Sequence, residues 1–226
     1  MASVLDRFVA DLARAARATD RPKACFVGTA TGDLPGYVND FHQAYGSIGC
    51  EPSDLGLFSR TVADLRSFVC EQDIVYVGGG NTVSLLAVWR AHGLDIALKE
   101  AYQAGTILCG SSAGMNCWFE ASVTDSYDLS RLQGVHDGLG MLSGSACPHY
   151  DGEAQRRPSY HRLVAEGFPG GVAAEDWVAL HYVDEQLEEA VTAVEGSKAY
   201  RVTLVGNDVV EEPLAARLLE NGSCRR

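Results

Sequence analysis

Four times in the first half of the chain, a short apolar run gives way to a loop of glycine and small polar residues, and then to a stretch with helical spacing. The runs lie in "KACFVGTATGD", "DLGLFSR", "DIVYVGGGNT" and "TILCGSSAG". Runs this apolar, with no polar alternation, belong to strands buried on both faces, and parallel strands require a helical crossover between them. Helical spacing appears over about Val4 to Ala18, with Leu5, Phe8, Val9, Leu12 and Ala16 on one face. It returns in "YVNDFHQAYGSIG", in "TVADLRSFVCEQ", and in "NTVSLLAVWRAHGLDIALKEAYQAG", which breaks at Gly93. A last helix is expected to start in "AGMNCWFEA". The pattern predicts an α/β fold whose mostly parallel sheet is covered on both faces. From Ser122 onward it loosens; "GGVAAEDWVALHYV", "EAVTAVEG" and "KAYRVTLVG" read as strands joined by tight turns, adding antiparallel members. With no linker or repeat in sight, residues 1–226 are expected to form a single domain.

Composition narrows the partners. Hydrophobic residues make up 46% and charged residues 21%, which suits a folded core and not a disordered chain. A net charge of −12 repels polyanions, so neither nucleic acid nor an anionic membrane is an expected partner. The seven cysteines (Cys25, Cys50, Cys70, Cys109, Cys117, Cys147 and Cys224) are odd in number and show no CxxC spacing. They read as free thiols rather than as a disulfide framework or zinc site. The N-terminal stretch is amphipathic and contains acids, unlike a signal peptide or a membrane span. A cytoplasmic protein, monomeric or homodimeric, is expected.

In most parallel α/β sheets the ligand binds where loops leave the C-terminal strand ends, and two glycine-rich loops fall there. In Gly110-Ser111-Ser112-Ala113-Gly114 the serine at the centre is Ser112. A G-x-S-x-G turn between strand and helix presents its serine clear of the sheet as a nucleophile, although similar clusters also occur in plain tight turns. Ser111 is then a spacer, and the Ala113 amide at the helix start is placed to bind an oxyanion. "GGGNT" (78–82) lacks both the GxGxxG spacing and the P-loop lysine. It is read as a second oxyanion donor through Gly80, with Asn81 or Thr82 as helix cap and Asn81 also a candidate substrate contact. A base is required. Of the six histidines, His42 and His92 lie on helical stretches and His181 in a strand. His149, in the loop "SACPHYDGE", is the leading candidate, with His136 and His161 in competition. Asp151 and Glu153 flank it without a second histidine at ligand spacing, so no metal is expected.

The series "VGGGNT", "GSSAG", "CPHYDGE" and "AAEDW", in that order, resembles the dipeptidase E (aspartyl dipeptidase) family of serine peptidases, whose distant relatives include cyanophycinases. The match runs from about Ile74 to Leu180. It implies a flavodoxin-like, class I glutamine amidotransferase-like three-layer sandwich, no cofactor, and small peptides as substrates. It implies Ser112 as nucleophile, His149 as base, and Gly80 and Ala113 as oxyanion hole. For the third member the resemblance offers Glu175, in "AEDW", or an acid after the nucleophile helix, Asp125 with Asp128 behind it. Aspartate-preferring members hold the substrate carboxylate with a basic residue beyond the histidine; here Arg156 and Arg157 are near, at a shifted spacing. Tyr150 is a candidate for the pocket wall, and Asp151 or Glu153 for a substrate ammonium. The alternatives are an esterase or amidase on a non-peptide acyl group, or an inactive small-molecule-binding relative. An amidotransferase is disfavoured because Cys109 lies three residues before the apex of the turn.

Overall fold

Side-chain alternation along the first strands builds the layers. The computed structural model describes residues 1–60 and 62–220. After α1 (Val4–Arg17) come β1 (Lys23–Val27), α2 (Pro35–Ser47), β2 (Glu51–Asp54), α3 (Leu65–Cys70), β3 (Ile74–Val77), α4 (Thr82–His92), α5 (Leu94–Gln103) and β4 (Ile107–Gly110). The four strands are parallel, in the order β2-β1-β3-β4. Ala24, Phe26, Ile74 and Tyr76 pack on α1 and α2 on one face, and Cys25, Val27, Val75 and Val77 pack on α3, α4 and α5 on the other. Local chemistry sets the helix ends. Ser3 and Asp6 form a capping box at the start of α1, and Gly93, at φ 72°, separates α4 from α5.

Two expectations need correction. The second strand is Glu51–Asp54, not "DLGLFSR". The Asp33 carboxylate accepts the amides of Leu57 (2.7 Å) and Phe58 (3.0 Å), which diverts them from the ladder, while Leu55 and Leu57 drop into the core. The helix after the serine turn, α6 (Ala113–Asn116), is a single turn. Phe119, buried in the core, already opens β5 (Phe119–Thr124).

β5 begins a second sheet, so the sheet is divided rather than continuous. With β6 (Gln133–Val135), β7 (Leu142–Cys147), β8 (Gly171–Ala174), β11 (Ala199–Val205) and β12 (Asp208–Leu214), it runs β12-β11-β8-β7-β5-β6. β5, β7 and β8 are parallel, and β6, β11 and β12 are antiparallel additions; of these only β11 was expected, and β8, expected among the antiparallel strands, runs parallel to β7. α7 (Arg156–Ala165) covers one face through Tyr160 and Val164. β9 (Val178–Val183), β10 (Gln186–Thr192) and β13 (Ala216–Leu218) make a third ladder. One core joins the first two sheets: Ala113, Trp118, Phe119, Ala146 and Val172 pack with Val75 and Val77.

Six cysteines are free thiols, and Cys224 lies outside the described residues. Burial pushes the Cys25 and Cys147 thiols up to about 12, and it raises Cys109 as well, so Cys109 is no nucleophile. No helix among the described residues is long and apolar enough to cross a membrane.

Candidate active site

The serine turn needs its glycines because three backbones meet there. A Cβ on Gly114 would stand 2.1 Å from the Val77 carbonyl oxygen, and one on Gly110 would stand 2.6 Å from the same atom. The junction between β4 and α6 is thereby pressed against the end of β3. Ser112 takes up the bend with φ 56° and ψ −112°. A side-chain-bearing residue holds such a conformation only when its surroundings impose it. The loop after β3 comes up to meet it: a Cβ on Gly79 would lie 3.2 Å from Ser112 Cβ and 3.8 Å from its Oγ.

Backbone amides without an acceptor among the described residues cluster in the same place. The amides of Gly114 and Met115 donate to Ser111 and Ser112 carbonyls, leaving the Ala113 amide without an acceptor among the described residues. In the facing loop the Gly78 amide donates to Val27 and the Asn81 amide to Ala30, which leaves those of Gly79 and Gly80. Gly80 sits at φ 137°, where a Cβ would stand 2.4 Å from the Ala30 carbonyl oxygen. Free amides on two converging loops can together hold one negative oxygen.

His149 follows β7, itself left-handed at φ 56°. Its Nδ1 lies 2.7 Å from Asp176 Oδ1. A carboxylate on Nδ1 fixes the ring and leaves Nε2 as the working nitrogen. The expected third members lie elsewhere. Glu175 turns to the opposite side, where it accepts from the Tyr200 hydroxyl (2.8 Å) and the Lys198 amide (2.7 Å). Asp125 sits in the loop after β5, where its carbonyl accepts the Asp128 amide, and the Asp128 carboxylate is taken up by Ser130. Asp176 is held from behind, for its amide donates to Asp151 Oδ1 at 2.8 Å.

The residues expected to touch substrate are committed within the protein. Asn81 caps α4 through the Ser84 amide and donates to the Ser126 carbonyl. Arg156, 4% exposed, holds Glu153 and donates to the Val123 carbonyl at 3.1 Å. Arg157 pairs with Glu211, and so does the buried Tyr150 through its hydroxyl. Glu153 is paired with Arg156, and Asp151 Oδ1 accepts the Asp176 amide. His136 packs edge-on against Phe168, and His161, on α7, shares Glu211 with Tyr150 and Arg157. Among the described residues, no group of three or more His, Cys, Asp or Glu side chains could hold a metal ion.

Several contributors went unread in the sequence. Asn116, on the turn of α6, donates to Val123 O (3.4 Å), the carbonyl that Arg156 also holds. α6 and the start of α7, just past the histidine loop, are tied through that one atom. Ser126 Oγ accepts the Thr82 amide at 2.9 Å, so α4 is capped from a loop 44 residues away. No local pattern signals either contact.

Gly152 makes room for the carboxylate, because a Cβ there would stand 2.4 Å from Asp176 Oδ2. Only the end of a flexible side chain has to move, so Gly152→Ala is expected to fold normally. Turning Asp176 off the imidazole should nonetheless cost about tenfold to a hundredfold in kcat. Thermal melting beside steady-state kinetics would check both halves, and a variant with full activity would contradict the assignment of Asp176.

Comparison with known proteins follows from this geometry. The sequence model of peptidase family S51 matches residues 4–190. An uncharacterized peptidase of Bacillus subtilis, YgaJ, is 46% identical over 202 residues, covering 88% of this chain and 86% of its own. A peptidase E of Shewanella amazonensis is 30% identical over 167 residues, 68% of this chain and 66% of its own. Among solved structures, a peptidase from an acI-B1 Actinobacterium superposes with a TM-score of 0.65, covering 94% of this chain and 89% of that one at 17% identity. At that identity the likeness is one of fold, and it bears out the expected class I glutamine amidotransferase-like α/β architecture.

Proposed function

This chain belongs to peptidase family S51 and is therefore a peptide hydrolase; on that premise we propose that it is a serine exopeptidase of small peptides, working through an acyl-enzyme on Ser112. The observation that carries the proposal is the backbone of Ser112, held at φ 56° and ψ −112° over Gly79. A strained serine at a strand-to-helix turn is the arrangement that presents a nucleophile.

In the proposed reaction, Ser112 Oγ attacks the scissile carbonyl carbon as His149 Nε2 takes its proton. Asp176 keeps the Nδ1 proton in place and stabilises the imidazolium that forms. The amides of Gly80 and Ala113 receive the oxyanion. Collapse breaks the C–N bond, and the proton on Nε2 leaves with the amine. Water, deprotonated by the same nitrogen, then releases the acid and restores Ser112. No hydrogen bond joins Ser112 Oγ to His149 among the described residues; the proposed reaction requires that contact to form when substrate binds, as catalytic hydrogen bonds often do.

The test uses two reagents. A serine-directed fluorophosphonate should add once per chain, at Ser112 by peptide mass mapping, and should block turnover. A panel of dipeptides with free and blocked amines should be cleaved only where the amine is free. Cleavage of blocked amides or esters at equal rate would replace the exopeptidase with a general acyl hydrolase. Label at no serine, with no peptide cleaved, would overturn the reading.

A further inference from the structure

The arginine and tyrosine expected in the substrate pocket are built into something else. The Arg157 guanidinium sits over two aromatic rings that pack on each other with centroids 5.4 Å apart, 4.9 Å from the centroid of Tyr150 and 4.7 Å from that of Tyr200. Its fork grips Glu211 on β12, Nε to Oε2 at 3.0 Å and Nη2 to Oε1 at 2.5 Å. Glu211 Oε2 also accepts the Tyr150 hydroxyl at 2.6 Å and meets His161 Nε2 at 2.9 Å. Tyr200, on β11, passes its hydroxyl to Glu175.

What matters is which residues these are. Tyr150 immediately follows His149, and Glu175 immediately precedes Asp176. The two loops carrying the catalytic pair are thus each anchored, one residue away, to the same guanidinium: His149 through the Tyr150 ring, Asp176 through Glu175 and the Tyr200 ring. The Tyr150 amide also bonds the Ala174 carbonyl (3.0 Å), drawing the loops together. His149 adopts φ 56°, a conformation that must be held from outside.

We infer that Arg157 and Glu211 are positioning residues, a clamp that holds the packed Tyr150 and Tyr200 rings under one guanidinium and so keeps Asp176 against His149 Nδ1. The inference rests on the proposed roles of His149 and Asp176. A planar, bidentate, stacked cation is a job for arginine and not for lysine. Charge supports the clamp: partial burial pushes the Glu211 carboxyl up, but hydrogen bonds from Arg157, Tyr150 and His161 outweigh it and pull it from 4.5 to about 2. The carboxylate therefore stays ionised at any working pH. Because its folded value is depressed, the stability it adds is complete above about pH 4.5 and is lost as pH falls toward 2.

The sign of one titration separates a clamp from a nearby charge. Asp176 bonds His149, Asp151 bonds Asp176, and Glu153 is paired with the cation Arg156; Arg157 is the more remote cation, paired with Glu211. Deleting a cation alone favours the protonated imidazole and moves its titration midpoint up. Loosening Asp176 removes the carboxylate that stabilises the imidazolium and moves the midpoint down. The experiment is an NMR titration of ¹⁵N-labelled histidines in the full chain, with His149 assigned from His149→Gln. Wild type would be compared with Arg157→Met, Arg157→Lys and, as the milder variant should the others not fold, Tyr200→Phe. The clamp requires a downward shift of about half a pH unit or more in the arginine variants, lysine included. It also requires kcat to fall about tenfold or more while KM stays within about threefold. An upward or absent shift, full rescue by lysine, or a lower melting temperature with unchanged kcat would each overturn it. The titration needs no turnover, so it decides the clamp even if the fluorophosphonate fails to label Ser112 and the peptidase mechanism falls.

Discussion

Asp176→Asn is expected to lower kcat by roughly three to four orders of magnitude, while Glu175→Gln, one residue away, should cost no more than about tenfold. The asymmetry follows from where the two carboxylates point. Asp176 Oδ1 accepts from His149 Nδ1 at 2.7 Å, whereas Glu175 is spent on Tyr200 and Lys198. An asparagine at 176 would still fill the space. Its amide would present either a donor toward Nδ1, forcing the proton onto Nε2 and disabling the base, or a neutral acceptor that cannot stabilise the imidazolium. Because the Asp176 side chain is 44% exposed, removing its charge should leave the melting temperature nearly unchanged. KM should move little, since the lost interaction acts on the transition state. Steady-state kinetics on both variants, with circular dichroism as the folding control, provides the check. Equal losses in the two, or a larger loss in Glu175→Gln, would return the third position to Glu175.

The choice between those neighbours shows where sequence stops informing. The strand β8 that leads into them was legible as an apolar run, and so were the serine turn, the glycine loop facing it and the histidine loop. Which of two consecutive acids faces the histidine depends on ladder parity, and that depends on pairing. Ala173 stands opposite Tyr200, and the Glu175 amide continues the ladder to the Lys198 carbonyl. Glu175 therefore shares a side with Tyr200 and α7, and Asp176 falls on the other. No local pattern contains that register. The same limit explains Arg156 and Arg157. An arginine beside a candidate site invites a substrate carboxylate, but beside the local Glu153 these two are claimed by the Val123 carbonyl and by Glu211, both far off in the chain. The early turn into β5 was missed for another reason: helical spacing in "AGMNCWFEA" is real for one turn, and tertiary burial of Phe119 ends it.

Gly114→Ala is expected to damage stability and activity together. Its Cβ would stand 2.1 Å from the Val77 carbonyl oxygen, 2.7 Å from that carbonyl carbon and 3.0 Å from Val77 Cβ. Every atom it meets is on or next to the backbone of β3, so no side-chain rotation relieves the overlap and α6 must move off the strand end. That carbonyl also accepts the Ser111 amide at 3.2 Å, so separation breaks a hydrogen bond that sets the turn. Overpacking of this kind costs about 1–3 kcal/mol or more, which for a chain of this size lowers the melting temperature by about 2–4 °C per kcal/mol. Activity should suffer more than that figure suggests. Ser112 and the Ala113 amide ride on α6, while Gly79 and Gly80 follow β3; driving the two apart separates the proposed nucleophile from half of its proposed oxyanion hole. A shift of about 1 Å there is worth about a hundredfold in kcat. Gly152→Ala, which displaces only a side chain, should lose activity without losing stability. Melting curves and kcat measured on the two variants side by side would therefore separate a turn held by backbone crowding from a carboxylate held by a gap. A Gly114→Ala protein with wild-type melting and turnover would mean that β3 and α6 are not packed as closely as this structure has them.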